Sequence, residues 1–536
     1  MSLIHELEEL QAERGHLSRE SLRELSAGLQ TPLYRLQEIV SFYPHFRTAP
    51  PPKLEVLVCR DMACHLGGSD GLAERLRGAL GEDCEIAVEE ASCLGCCELA
   101  PAVRVNGTPA QAADLSDLVG ALTNGGVTAR PAAVREWRCD PYAGGGERYS
   151  TFGQLLAADH DPDPVAELIA ALKDSGLRGM GGAGFPTGLK WELVRKETAD
   201  PKYVVCNADE SEPGTFKDRV ILEQLPHLVL EGMMMAGAAI GAGKGIVYLR
   251  HEYELAREAL EAELAAAYKG GWLGKNIQGS EFSFDIEIFI SPGGYILGEE
   301  TALLEALEDK RGEPRNKPPF PGQKGLWDLP TLMNNVETLA YVPAIASHGA
   351  AWWKEQGEGE FGGLKFIAVS GHVEKPGVYE IPMGITVAEL IELAGGVSGG
   401  RALKAFAPGG ASSNFLPADR ADVAIDFGAL GEAGSMMGSG ALVVVADGTP
   451  MLPVAANVVR FFRNESCGKC VPCRDGTEKA VQLLDSALAD GTRIDWQAIE
   501  KLNFLLAETS ICGLGYVALN PLTSVAEHWP EEVPRG

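Results

Sequence analysis

The chain has 536 residues, 45% of them hydrophobic and 23% charged, with a net charge of −29. That length calls for several domains, because single cores rarely grow past roughly 250–300 residues. The acidic balance excludes nucleic acid or an anionic membrane as the main partner.

Met1 to Leu10 is acidic and amphipathic, not a basic segment followed by an apolar core, so a cytoplasmic location is expected. The longest uncharged apolar stretch lies between Glu231 and Lys244. It falls short of the roughly 20 residues a membrane span needs and reads as a buried helix, with no direct membrane insertion. Twelve cysteines point to ligands or buried thiols and away from disulfides.

Residues 1–48 are expected to be helical. Leu22, Leu25, Leu29, Leu33, Leu36, Ile39 and Val40 recur at helical spacing. Ser18 is placed to cap one helix, and Thr31-Pro32 to open the next with proline at its first position. Pro44 breaks the pattern, and Pro50 to Pro52 form a stiff linker.

Residues 53–125 form a second unit. A strand over 53–59 ends on Cys59, and Cys64 follows. Cys93 and Cys97 follow a second strand over 86–90. Two cysteine pairs on neighbouring loops can hold a [2Fe–2S] rhombus through four thiolates. Zinc, which prefers tighter C-x2-C knuckles, stands as the alternative. Cys96 competes with Cys97 for the fourth position, and Cys84 reads as a buried thiol. Residues 126–159 make a Pro/Gly-rich linker running through YAGGGERY.

Residues 160–360 hold a glycine-rich loop, GLRGMGGAGFPTGLKW from Gly176 to Trp191. Glycine raises the entropy cost of ordering, so Gly179, Gly181, Gly182 and Gly184 imply close approach of backbone to a phosphate-bearing cofactor. Phe185 is a poor linker residue, and Lys190 places a cation at the loop's exit. A strand over 203–206 then runs into NADESEPGTFKDR, where Asp209, Glu210, Glu212 and Asp218 crowd beside Asn207. Ligand contacts gather at the carboxyl ends of strands in α/β sheets, and acidic groups there suit ribose hydroxyls. A further strand ends at Ser291, and Tyr295 in the turn after it can stack on a flat ring. Gly298, Glu299 and Glu300 open the next helix. Arg311, Arg315, Lys317 and Lys324 then offer cations for a pyrophosphate, and Phe320 a ring for a base.

Residues 361–450 read as a small β-grasp module with no evident chemistry, a spacer. Residues 451–536 return to helices. Cys467, Cys470 and Cys473 on one turn, with Cys512 far downstream, fit a [4Fe–4S] cube, again with structural zinc as the alternative. Lys469 and Arg474 flank it.

In this order the motifs resemble the small two-iron subunit and the FMN-binding subunit on the NADH side of respiratory complex I, fused end to end. The resemblance implies an α/β multidomain protein: an N-terminal helical segment, a thioredoxin-like [2Fe–2S] domain, a Rossmann-like FMN/NAD domain, a ubiquitin-like β-grasp domain and a helical [4Fe–4S] domain. It places the [2Fe–2S] ligands on Cys59, Cys64, Cys93 and Cys97. Asn207, Asp209 and Glu210 then lie against FMN, Glu212 on the NAD side, Lys317 and Phe320 on the dinucleotide, and Asn334 and Asn335 on the flavin phosphate. Leu297 stands where the family usually has cysteine and is expected to be packing. Glu210 and Glu212 are the candidate catalytic residues, acting on the flavin through charge and position. Among fused forms the chain looks most like the β subunit of a molybdenum- or tungsten-dependent formate dehydrogenase, next the diaphorase subunit of an NAD-reducing hydrogenase, with a complex I-type NADH dehydrogenase fusion as a further alternative. Either of the first two implies a catalytic α subunit carrying further iron–sulfur clusters. A rival class is an electron-transfer scaffold with vestigial nucleotide sites.

Overall fold

The computed structural model describes residues 2–81, 85–112, 114–123, 127, 134–157 and 163–535. Cys84, and with it the expected buried thiol, lies outside the described residues.

Three helices begin the chain: Leu3–Arg14, Arg19–Gly28 and Leu33–Phe42. Ser18 caps the second by accepting the Ser21 N–H. Pro32 stands one place earlier than its expected role. Its ψ of 135° is extended, so it precedes the third helix, and Leu33 is the first helical residue. The Tyr43 hydroxyl donates to the Lys310 carbonyl at 2.5 Å, seating these helices on the central domain.

The next sheet has the order Ile86–Ala91, Leu54–Cys59, Ala102–Val105, Thr108–Gln111. Its first pair is parallel and the other two are antiparallel. Val56, Val58, Leu72, Leu76 and Val103 fill its core. The parallel pair puts the ends of both strands, and so both cysteine loops, at one edge.

The central sheet is all parallel, in the order Asp285–Ser291, Lys244–Arg250, Tyr203–Ala208, Thr331–Asn335. In chain order that is third, second, first, fourth. The winding therefore reverses between Tyr203–Ala208 and Thr331–Asn335, which opens a crevice at their carboxyl ends. Helices Pro226–Ile240 and Val336–Glu355 cover this sheet, and the first is buried along nearly its whole length, as its apolar run requires. Leu297 is fully buried packing, as expected.

A five-stranded mixed sheet follows, in the order Gly377–Pro382, Leu364–Gly371, Ala441–Ala446, Leu403–Ala407, Leu416–Pro417. Its helix Val387–Leu393 starts on a reciprocal capping box between Thr386 and Glu389. The chain ends in helices, of which Met451–Asn464, Val471–Asp490 and Trp496–Thr509 are the longest. The whole is a multidomain α/β protein. No helix among the described residues is long and apolar enough to cross a membrane.

Candidate functional site

The crevice at the winding reversal is a cavity of about 970 Å³, within the range of small-molecule sites. Every cofactor-binding candidate lines it: Gly179, Gly181, Gly182, Gly184, Phe185 and Lys190 from the glycine loop; Asn207, Asp209, Glu210 and Glu212 from the first strand's end; Tyr295, Gly298, Glu299 and Glu300; Lys317 and Phe320; Asn334 and Asn335.

The glycines of the loop divide by task. Gly182 has φ +122°, a conformation side chains rarely adopt, and stands in the cavity wall. Gly188 stands outside it. A Cβ there would lie 2.6 Å from the Lys173 backbone nitrogen, so it seats helix Thr187–Lys196 on helix Pro164–Ser175. Lys190 donates from Nζ to the Met333 carbonyl at 2.9 Å, and Trp191 donates to Asn334 Oδ1 at 2.9 Å. Asn335 caps helix Val336–Glu355 and donates to Asp218.

The acidic loop is largely consumed by its own surroundings. Glu210 accepts from the backbone of Asp218 at 2.9 Å and of Arg219 at 3.2 Å, and from the Tyr253 hydroxyl at 3.0 Å. It thereby anchors the start of helix Lys217–Gln224. Burial pushes its carboxyl up to about 7 and that of Asp209 up to about 6. Asp209 accepts from Ser291 at 2.6 Å and Ser211 at 2.7 Å. Glu212 accepts from the Tyr295 hydroxyl at 2.5 Å and from the Ser412 N–H at 2.6 Å, and burial raises its carboxyl as well.

Three expectations change. Tyr295 spends its hydroxyl on Glu212 and sets its ring edge-on to Phe461 at 5.0 Å, so it serves first as a strut of the cavity wall. Of the four cations after residue 310, only Lys317 reaches the cavity, where Glu299 and Glu300 hold it at 2.9 and 3.1 Å. Arg315 is claimed by Glu305 and Glu308, and Arg311 lies over the Phe42 ring. The β-grasp module is more than a spacer. Gly409, Ser412, Met436, Gly438 and Ser439 wall the cavity, and Ser439 bonds Thr215 at 2.5 Å. The run APGGASSN over 407–414 carries the same small-residue signal as the loop over 176–191, and could have marked this wall.

The first cysteine set converges. Cys59 is within hydrogen-bond range of Cys64 and Cys93, and Cys93 Sγ lies 3.7 Å from Cys97 Sγ. The Ala102 N–H donates to Cys64 Sγ at 3.3 Å. Cys96 packs in the same buried cluster as Cys59 and Cys64, has Arg219 and Glu98 for charged neighbours, and burial pushes its thiol up to about 12. In the second set Cys470 and Cys473 are neighbours with free thiols, and Cys512 lies near Cys467 and Cys473. Ser466 Oγ is 3.2 Å from Cys473 Sγ. Lys469 and Arg474 are tied to the carbonyls of Pro314 and Gly468. Among the described residues no three or more His, Cys, Asp or Glu side chains surround a single-ion position. A cluster spreads its thiolates over several irons and needs no such point, so two all-cysteine sets fit iron–sulfur clusters.

Three sites are bolted together. Cys512, Gly513, Leu514 and Val517 line the same cavity as the glycine loop. Glu465, beside the cube loop, accepts from Ser92 at 2.5 Å and from the Tyr295 N–H at 2.9 Å. Asn457 accepts from the Met62 N–H and donates to the Arg60 carbonyl, both at 2.8 Å.

Family models match along the chain: the thioredoxin-like [2Fe-2S] ferredoxin over residues 1–124, the Nuo51 FMN-binding domain over 172–344, the SLBB domain over 366–413 and the NADH-ubiquinone oxidoreductase-F iron-sulfur binding region over 453–536. The chain is 46% identical over 392 residues to the F 2 subunit of NADH-quinone oxidoreductase from Rhizobium meliloti (strain 1021), covering 73% of this chain and 92% of that protein. It is 45% identical to the NADP-reducing hydrogenase subunit HndC of Solidesulfovibrio fructosivorans, covering 68% and 75%. A chain of an NAD+-reducing [NiFe]-hydrogenase crystallised in the H2-reduced state superposes with a TM-score of 0.86 at 32% identity, covering 98% of this chain and 92% of that one.

Proposed function

Because the chain belongs to the family of NADH-quinone oxidoreductase F subunits, we propose that it is the diaphorase subunit of a larger complex, passing electrons between NAD(H) and a redox centre on a partner. It carries an FMN- and NADH-binding domain, a thioredoxin-like [2Fe–2S] region and a [4Fe–4S] region. The observation that carries the reading is the shared wall: the Cys512 segment lines the cavity made by the glycine loop and the acidic loop.

FMN, when bound, exchanges hydride with the nicotinamide and single electrons with the clusters. The chain's own groups bind and orient. Gly179 to Gly184 present backbone, and Lys190, Asn334 and Asn335 present polar groups, for the flavin phosphate. Asn207, Asp209 and Glu210 face the flavin ring, and the two raised carboxyls can hold a proton near neutrality. Glu212 and Tyr295, locked to Ser412, fix the NAD side of the cavity. Phe185 and Phe320, 43% and 56% exposed, offer rings at the mouth to the dinucleotide, with Lys317 between Glu299 and Glu300. Cys59, Cys64, Cys93 and Cys97 hold the [2Fe–2S] cluster, and Cys467, Cys470, Cys473 and Cys512 the [4Fe–4S] cluster. Val471, Phe504, Leu505 and Tyr516 are exposed on the helices around the cube loop, a surface suited to a partner with further clusters.

The partner proposed from the sequence resemblance is the molybdenum- or tungsten-pterin α subunit of a formate dehydrogenase. A specific observation favours a second reading, a hydrogenase partner: the [NiFe]-hydrogenase chain matches nearly end to end, N-terminal module included. Purified, FMN-replete chain should reduce ferricyanide from NADH, and should oxidise neither formate nor hydrogen. Intact clusters with no ferricyanide reduction would favour the scaffold class. The co-purified complex, offered formate and hydrogen in turn with NAD, decides between the partners.

A further inference from the structure

We infer that Arg250 sets the reduction potential of the [2Fe–2S] centre from the flavin domain, as a positioning residue that no cysteine motif marks. Arg250 is the last residue of strand Lys244–Arg250 and is 4% exposed. Its Nη1 donates to the Glu210 carbonyl at 2.6 Å, and its Nη2 donates to the Cys93 carbonyl. Nε and Nη2 also hold the Glu252 carboxylate at 2.8 and 2.9 Å. One buried guanidinium therefore spans the acidic loop of the cavity and a ligand loop of the cluster.

The contact is rigid. Arg219 donates to the Gly95 carbonyl at 3.2 Å and pairs with Glu98 and Glu223. A Cβ on Gly95 would stand 2.6 Å from the Tyr253 ring, whose hydroxyl is bonded to Glu210. Neither loop can drift from the other without breaking several buried hydrogen bonds.

Reduction of the cluster adds one electron, taking one ferric iron to ferrous, with no bond broken and no proton required. That electron's charge interacts with every fixed charge in the low-dielectric surroundings. Arg250 is the cation bonded to a ligand residue's own carbonyl, so it favours the reduced state. The carboxyls on this side are Asp61, which accepts the Cys93 N–H at 2.9 Å and is pushed up by burial, Glu212, also raised by burial, Glu98, which is paired with Arg219, and Glu252. Glu252 differs from the others in being bound to Arg250 itself, where it shields the guanidinium.

That pairing gives two variants with opposite expected signs. Glu252→Gln unshields the cation and should shift the [2Fe–2S] potential upward. Arg250→Met combined with Glu252→Gln removes the pair without stranding a buried carboxylate, and should shift it below the wild-type value. The measurement is a redox titration of the full-length, anaerobically reconstituted chain, followed by electron paramagnetic resonance. The [4Fe–4S] potential should stay in place, and that of FMN, which shares the Glu210 loop, should move less than that of the [2Fe–2S] centre. Shifts of one sign in both variants, no shift, or equal shifts of all centres would overturn the role of Arg250. If the double variant takes up no cluster, Glu252→Gln decides alone, since only an upward shift is compatible. The inference rests on Cys93 as a cluster ligand. A wild-type chain without a [2Fe–2S] signal removes both, whereas a signal with an unmoved potential removes only the part given to Arg250.

Discussion

Cys96 and Cys97 are neighbours whose sulfurs meet different company. Cys97 closes the group with Cys59, Cys64 and Cys93, while Cys96 is set among Arg219 and Glu98. Cys97→Ser should therefore abolish or distort the [2Fe–2S] resonance of the reduced chain, and Cys96→Ser should leave it. The opposite pattern would reassign the ligand. Glu212→Ala should weaken NADH binding while FMN stays bound, because it frees Ser412 and Tyr295 in the wall proposed for the dinucleotide. A lost hydrogen bond to a charged group costs about 1.5–3 kcal/mol, or roughly a tenfold to hundredfold rise in Kd. Fluorescence titration with NADH, alongside flavin content, checks both halves; lost flavin with unchanged NADH affinity would put Glu212 on the flavin instead. Glu231 gives a pH prediction away from the cavity. It is buried, accepts from the Tyr142 hydroxyl and the Phe152 N–H, and burial pushes its carboxyl from 4.5 up to about 7. A carboxyl raised in the folded state binds more protons there than when unfolded. Its contribution is present below pH 4.5 and is lost as pH rises through about 7. Glu231→Gln keeps an acceptor and removes the ionisation, so thermal unfolding should show a flatter loss of stability between roughly pH 5 and 7 than wild type.

The elements that the sequence declares are those whose parts are close together along the chain. The glycine loop, the C-x2-C-x2-C turn and the acidic strand end each announce themselves within a few residues, and the first and last of them line one cavity. What stays hidden is contact between distant segments. Ser412 binds Glu212 across 200 positions, so the β-grasp wall carries no local mark beyond its small residues. Free cations are over-counted from sequence for a related reason. A basic residue shows its charge but not the carboxylate that claims it, and Arg315 belongs to Glu305 and Glu308. The glycine loop likewise hides two tasks under one composition. Gly188 serves helix packing, so Gly188→Ala should push two helices apart at a cost of about 1–3 kcal/mol. A lowered Tm and weaker FMN retention, measured on the same preparation, are expected. An unchanged Tm would mean that helix Thr187–Lys196 shifts freely.

At the scale of the molecule, two complete four-cysteine sets and one nucleotide cavity predict about six irons and one FMN per chain. Iron and flavin assays on anaerobically reconstituted chain check this, and a ceiling of about four irons would leave one set empty. The order of the domains is legible because each has its own composition; how they lock is not, because locking uses single side chains. Those side chains are numerous around the N-terminal module. Arg104 donates to the Glu252 carbonyl, His372 is bonded to the Leu66 carbonyl, Met62 to Asn457, and Ser2 and Tyr43 to the Asp309–Lys310 turn. Covalent continuity between the module and the flavin domain is then a matter of supply more than of grip. Joining the two in one polypeptide guarantees equal numbers and a high effective concentration during assembly, after which the joint is redundant. Chain cut at an engineered protease site between residues 123 and 137 should migrate as one particle with both clusters in place, like a hinge pin that can be drawn once the door has been nailed shut.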